Sequence, residues 1–302
     1  MVRPFTLRDL ALVRRLGEQG ISLHAESALA DDLHHLRDAL TSMVVGGKYP
    51  TLIYKSEEPE RIGFIQLLLQ ENEQHAHILY LSPAVQPAAD GDHVSSSAND
   101  TAVWLSLLDE AVAEVGRLGV QSLVAEVDEV GPELPLLRQA GFAVYTRQDI
   151  WRFAGEIENI HEPTIRLLPY LSSDDWDVQL LYANMVPRLV QLVEPVPPLM
   201  RGNGWVLRDE QNELVAFAHV NEGSAATWLR FFIHPSAETE ASEIVISALA
   251  KEVERKQKPV YCCVRRYEGW LPIGLEHAGF EIWRSQAVLV KHTVHHTCLL
   301  YT

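Results

Sequence analysis

The stretch "LLRQAGFAVY" at 136–145 returns as "GLEHAGFEIW" at 274–283. A repeat of this kind decides the architecture before any single residue does. Sliding Leu105–Phe142 onto Glu243–Phe280 without a gap gives identities at Glu114/Glu252, Val115/Val253, Arg117/Arg255, Gly131/Gly269 and Leu137/Leu275. Ala140-Gly141-Phe142 then meets Ala278-Gly279-Phe280, making eight identities in 38 positions. The hydrophobic pattern agrees with the identities. Trp104, Leu107, Leu108, Ala111, Val115 and Leu118 predict one face of an amphipathic helix, as do Val245, Leu249 and Val253. Each helix leads into a strand-length apolar run, "SLVAEV" or "VYCCV". A second helix then stops at the glycine of A-G-F, and an alternating strand follows, "FAVYTRQDIW" or "FEIWRSQAVLV".

The repeat extends towards the N-terminus of each half. "HILYLSP" at 77–83 matches "LRFFIHP" at 229–235, with 14 extra residues in the first copy between this strand and its helix. Hairpin-linked strand pairs precede it at 50–70 and 204–220, and each half opens on a short strand bearing Arg, "VRPF" or "TIRLL". The polar stretch 155–164 is the expected linker. Each half reads β–α(α)–β–β–β–α–β–α–β, giving expected domains 1–154 and 165–302.

The 302 residues suit two domains of ordinary size. Apolar content of 47% and charged content of 22% are those of a globular protein. A net charge of −16 argues against a nucleic-acid or anionic-membrane surface and is compatible with a cationic amine substrate. The N-terminus carries no apolar leader core, and no run spans a bilayer, so a cytoplasmic, non-membrane protein is expected. Cys262, Cys263 and Cys298 do not form a disulfide framework or zinc site, and no metal site is expected at "HHTCLLYT" or "DDLHHLRD".

With this element order, the "IHP" after the fourth strand and the A-G-F before the last, the chain resembles the GNAT (Gcn5-related N-acetyltransferase) family, in two tandem copies as in mycothiol synthase-like proteins. The resemblance implies an α/β fold with mixed α+β sheets, two tandem GNAT-like acyl-CoA N-acyltransferase domains. It implies acetyl-CoA as co-substrate, a small-molecule or peptide amine as acceptor, and a cofactor groove between strands 77–82 and 122–127, or 229–234 and 260–265. The family's phosphate loop is glycine-rich and opens a helix, where free amides and the helix dipole hold an anion. In the second copy that loop reads "IHPSAETEASEIV", without glycine and with Glu238 and Glu240. In the first copy Gly91, Ser95, Ser96 and Ser97 are the candidate phosphate donors, beside Asp90, Asp92 and Asp100. Coenzyme A is therefore expected in the first domain, with the backbone of Leu79 and Leu81 along the pantetheine arm. The family's acidic tyrosine is replaced by Leu137 and Leu275.

For a general base the resemblance points to His75, with His77 next on the same strand face. Strand alternation is expected to aim His75 to the side of Leu79 and Leu81. The sister position is Thr227, which is no base. His219 and Tyr267 read as hydrogen-bonded rim residues. The chemistry is thus expected to be acetyl transfer in the first domain. The alternative is a catalytically silent tandem protein serving as a binding or scaffolding module.

Overall fold

The A-G-F glycines both take the left-handed backbone conformation, Gly141 at φ +86° and Gly279 at φ +87°. Each follows a seven-residue helix, α4 (Glu133–Gln139) or α8 (Leu271–His277), and turns the chain into a long strand, β7 (Ala143–Phe153) or β13 (Phe280–His292). Leu137, Leu275, Phe142 and Phe280 are buried around these turns. The motif recurs because a helix stop, a core leucine and a strand start are all needed at one point.

A computed structural model describes residues 1–31, 38–40, 48–57, 61–69, 74–85, 94–155, 162–197, 203–255 and 258–293. The first half runs β1 (Val2–Pro4), α1 (Leu10–Leu16), β2 (Ile21–Ser22), α2 (Ala25–Ala30), β3 (Thr51–Ser56), β4 (Arg61–Leu69), β5 (His75–Ser82), α3 (Val94–Arg117), β6 (Ser122–Asp128), α4 and β7. The second half runs β8 (Leu168–Pro169), α5 (Asp175–Met185), α6 (Arg188–Gln191), β9 (Asn203–Arg208), β10 (Leu214–Glu222), β11 (Thr227–Ile233), α7 (Ala241–Arg255), β12 (Val260–Arg265), α8 and β13. The second half has the expected order of elements, and the first adds the two-residue β2 between its first two helices, in a mixed α/β fold. Among the described residues no helix is long and apolar enough to cross a membrane.

The chain divides into two compact units, each drawing residues from both halves of the sequence. The first unit is Met1–Ala28, Leu33–Tyr145 and Ala287–Thr302; the second is Leu29–Asp32 and Thr146–Gln286. The first unit thus takes its last strand from the C-terminal part of β13, in the order β1-β3-β4-β5-β6-β13. The second unit pairs β12 with residues 148–152 of β7, in the order β7-β12-β11-β10-β9-β8. Each unit completes its sheet with a strand from the other half of the sequence.

In the first unit Trp104, Leu107, Leu108, Ala111 and Val115 of α3 pack on Ala76, Ile78 and Leu81 of β5 and on Leu123, Ala125 and Val127 of β6. In the second, Ile244, Val245, Ala248 and Leu249 of α7 pack on Leu229, Phe231 and Ile233 of β11 and on Val260, Cys262 and Val264 of β12. The faces of β6 and β12 correct the gapless alignment. Leu123, Ala125 and Val127 turn to their helix, but the aligned Tyr261, Cys263 and Arg265 turn away from theirs. A slip of one residue exchanges the two faces of a strand.

Giving either left-handed glycine a Cβ is expected to cost about 1–2 kcal/mol of stability. Gly141→Ala meets only the flexible Lys291 side chain at 3.7 Å, whereas Gly279→Ala places its Cβ 3.3 Å from the Phe153 ring. Urea unfolding should therefore rank Gly279→Ala as the more damaging of the two.

Candidate functional site

In each unit two parallel strands begin paired and then separate. In the first unit β5 and β6 pair at His75/Ser122, Ala76/Leu123 and His77/Val124. Beyond His77 the gap between them is bridged by the chain itself. Ile21 and Ser22 of β2 pair with Leu81 and Tyr80. The Leu23 N–H donates to the Leu79 carbonyl at 3.0 Å, and the Leu23 carbonyl accepts from the Glu126 N–H at 2.8 Å. Ala25 N–H adds a bond to the Glu126 carboxylate at 2.7 Å. Leu23 is fully buried, inside the core shared with α3. The close passage requires Gly20, where a Cβ would fall 2.4 Å from the Leu81 carbonyl oxygen.

This segment stands where the expected cofactor groove of the first unit would be, and the backbone of Leu79 and Leu81 is already paired. The first unit in this form does not fit a pantetheine arm. A bulge corrects the expected alternation. Tyr80 pairs with Gln66 and Ile78 with Leu67, so Leu79 is an extra residue. Leu79 keeps the side of His75, in the core around α1, while the bulge turns Leu81 to α3.

His75 lies at the paired end of β5, buried, with Nδ1 2.7 Å from Ser122 Oγ. Burial, helped by the charge of His292, lowers its pKa. Its surroundings are those of a strand-pairing histidine. His77 makes an edge-on ring contact with His24 at 4.7 Å. Gly91 lies outside the described residues; Ser95, Ser96 and Ser97 fall in the first turn and a half of α3.

The second unit bridges its gap with charge instead. The strands pair at Thr227/Val260, Trp228/Tyr261 and Leu229/Cys262. Beyond this point Glu194, from the turn after α6, reaches both sides. Its carboxylate takes Arg265 Nη2 at 2.7 Å and Nε at 3.2 Å, and Arg230 Nη1 at 3.4 Å. The Glu194 carbonyl accepts from the Tyr182 hydroxyl of α5. Glu268, in the turn after β12, accepts from the Arg265 N–H at 2.8 Å. The Cys263 thiol donates to Gln148 Oε1 at 3.4 Å, and Gln148 donates to Gln286 at 2.8 Å. Phe217, His219, Arg230 and Phe232 share the sheet face under α5, with His219 directly opposite Arg230.

Burial pushes the Glu268 carboxyl up to about 7, against the pull of Arg230. Burial, reinforced by Arg230, holds the His219 imidazole down to about 4. Strongly displaced values around one charged group, here Arg230, are a physical signature of functional sites. The sequence carried a signal for this cluster: one arginine inside each buried apolar strand, "WLRFFI" and "CCVR".

The place of the family's glycine loop in the second unit is taken by a 3₁₀ turn, Pro235–Glu240, which includes Glu238 and an exposed Glu240. The His234 ring accepts from Ser236 N–H at 3.2 Å, using one amide at the turn's start. Carboxylates here oppose a pyrophosphate, so this turn does not fit coenzyme A phosphates. Leu137 and Leu275, at the positions of the family tyrosine, are completely buried.

The two displaced pKa values make opposite predictions for stability. Folded Glu268 keeps its proton to about pH 7, while the unfolded side chain loses it near 4.3, so its contribution falls as pH rises between these values. Folded His219 stays neutral down to about pH 4, while the unfolded ring protonates near 6.5, so its contribution falls as pH drops. Each slope reaches about 1.4 kcal/mol per pH unit. Glu268→Gln should gain stability relative to wild type as pH rises from 4.5 to 7, by about 3 kcal/mol in all. His219→Gln should gain relative to wild type as pH falls from 6.5 to 4. Urea unfolding across pH 4–8 measures both.

No protein-family model matches the chain, and no curated protein does. Solved structures do. The chain is similar to a tandem GNAT protein from the clavulanic acid biosynthesis pathway, solved without acetyl-CoA, at TM-score 0.56 and 13% identity over 98% of this chain and 99% of that one. It is similar to a GCN5-related N-acetyltransferase from Sphaerobacter thermophilus at TM-score 0.60 and 11% identity, covering 98% and 96%. A GNAT-family acetyltransferase from Colwellia psychrerythraea gives TM-score 0.53 and 11% identity, covering 97% and 100%. Likeness over whole chains at such low identity speaks to architecture, and the architecture is the GNAT fold in tandem.

Proposed function

We propose that this chain is a small-molecule-binding protein, silent towards acetyl-CoA, with its ligand site on the α5-covered face of the second unit. The observation that carries the reading is Leu23, which bonds to both β5 and β6 and fills the groove of the first unit. The acidic turn at Pro235–Glu240 supports it in the second unit, and the buried Leu137 and Leu275 support it in both. A fold does not by itself carry an activity.

A second reading is an acetyl-CoA-dependent N-acetyltransferase acting on an amine. Glu268 favours it, but in the second unit. A carboxyl group held near 7 suits a general base at neutral pH. His75, fixed to Ser122 at the paired end of β5, suits that task less well.

Titrating acetyl-CoA into the protein by calorimetry separates the two. The expected result is no saturable heat up to millimolar ligand, and no change in amide exchange at 79–81 or 230–233. Saturable binding would overturn the silent reading. Slowed exchange at 230–233 would then place transfer in the second unit, and slowed exchange at 79–81 would show that Leu23 yields the groove.

A further inference from the structure

We infer that the second unit holds a binding site for a small carboxylate, formed by Arg230, His219 and Tyr267 with Trp228 beside them. The inference rests on the reading of this face as the functional one and gives its ligand a chemical class.

This face is short of hydrogen-bond acceptors. Among the described residues of the second unit, the buried side-chain nitrogens and oxygens without a partner are Trp151 Nε1, His219 Nε2, Trp228 Nε1, Arg230 Nη2 and Tyr267 Oη. Every one can donate a hydrogen bond, and none is an acceptor only. Trp151 belongs to the core under α7. The other four do not. His219 faces Arg230 across the β10–β11 ladder, and Trp228 precedes Arg230 by two residues on the same face of β11. Tyr267 and Arg230 interact electrostatically, together with Glu268 and Glu194. A buried donor without an acceptor costs about 1–3 kcal/mol. Three on one sheet face, with Tyr267 in the turn after β12 within electrostatic reach of Arg230, point to a missing group that accepts.

Charge selects the class. The two guanidinium groups of Arg230 and Arg265 share the one carboxylate of Glu194. Glu268, with its carboxyl held up to about 7, neutralises only part of the remainder near neutral pH. A monoanion comes nearest to balancing what is left, whereas a phosphate dianion overshoots by more than one charge. A carboxylate is planar, carries four acceptor sites and fits the open edge of a guanidinium. Phe217 and Phe232 provide apolar ground for the ligand's carbon skeleton, and the Arg230 guanidinium lies 5.3 Å from the Phe232 ring centre. The donor atoms lie below the surface, but the Arg230 side chain is 15% exposed and Tyr267 is half-buried, giving an approach from solvent.

Propionate, with propionamide as its neutral isostere, tests the site on the full chain by calorimetry and thermal unfolding. The expected result is saturable propionate binding, with propionamide at least about tenfold weaker. Arg230→Met should abolish propionate binding. Tyr267→Phe removes an unpartnered hydroxyl while keeping the ring, so it should fold as well as wild type and bind propionate several-fold more weakly. Absence of saturable propionate binding overturns the inference and leaves the donors to buried water. Equal binding of propionamide, or wild-type affinity in Tyr267→Phe, overturns it as well. The acetyl-CoA titration is independent: acetyl-CoA binding alongside propionate binding would end the silent reading and make the carboxylate site that of an acceptor.

Discussion

Parallel strands that separate leave backbone N–H and C=O groups facing a gap, and buried backbone groups must find partners. Both units meet this constraint after three paired residues. The first unit answers with another piece of backbone: Leu23 sits between Leu79 and Glu126 and restores the hydrogen bonds a neighbouring strand would have made. The second unit spans its gap with side chains, Glu194 holding Arg265 and Arg230. From that difference follow the mainly apolar core beside β2 and the polar face beneath α5. One arrangement closes the gap with backbone; the other closes it with charge and leaves several donors over.

The repeat was legible in the sequence because A-G-F has a backbone cause. A helix that ends in a left-handed residue needs glycine, and the strand after it must start in the core. The helix faces of Trp104–Val115 and of Val245 and Leu249 were legible for the same reason, since one face meets one sheet. The role of β2 was not. Two paired residues make no periodic pattern, and only Gly20, ahead of Ile21, hints at a close passage. The Leu79 bulge was equally hidden, because an extra residue in an all-apolar strand leaves the composition unchanged while turning Leu81 to the opposite face. That one residue invalidates the reasoning that put His75, Leu79 and Leu81 on one side.

The boundary between the units was illegible on different grounds. The segment 143–153 has the same alternating pattern whether it completes its own half or the other one. Its partner in the second unit, β12, is met only through register, Ile150 against Cys263 and Trp151 against Cys262. Local sequence specifies that a strand forms and which of its faces is apolar. Which neighbour it pairs with is decided by contacts far along the chain, and a repeat makes the two candidates chemically alike.

The charges of the second unit are harder to explain by closure alone. Replacing a buried ion pair with apolar residues of similar volume is often neutral or stabilising, because the desolvation of both ions is avoided. The first unit closes the same gap mainly with the backbone of a leucine, with one buried carboxylate, Glu126, taking the Ala25 N–H. A network of two arginines and two glutamates that still leaves Arg230 Nη2, His219 Nε2 and Tyr267 Oη without partners is therefore a poor way to seal a sheet. It is a sound way to hold a small anion, since the groups are kept rigid by Glu194 and by the strands before the ligand arrives. The excess of donors is the feature that separates the two explanations, because sealing calls for balance and recognition of a carboxylate calls for surplus.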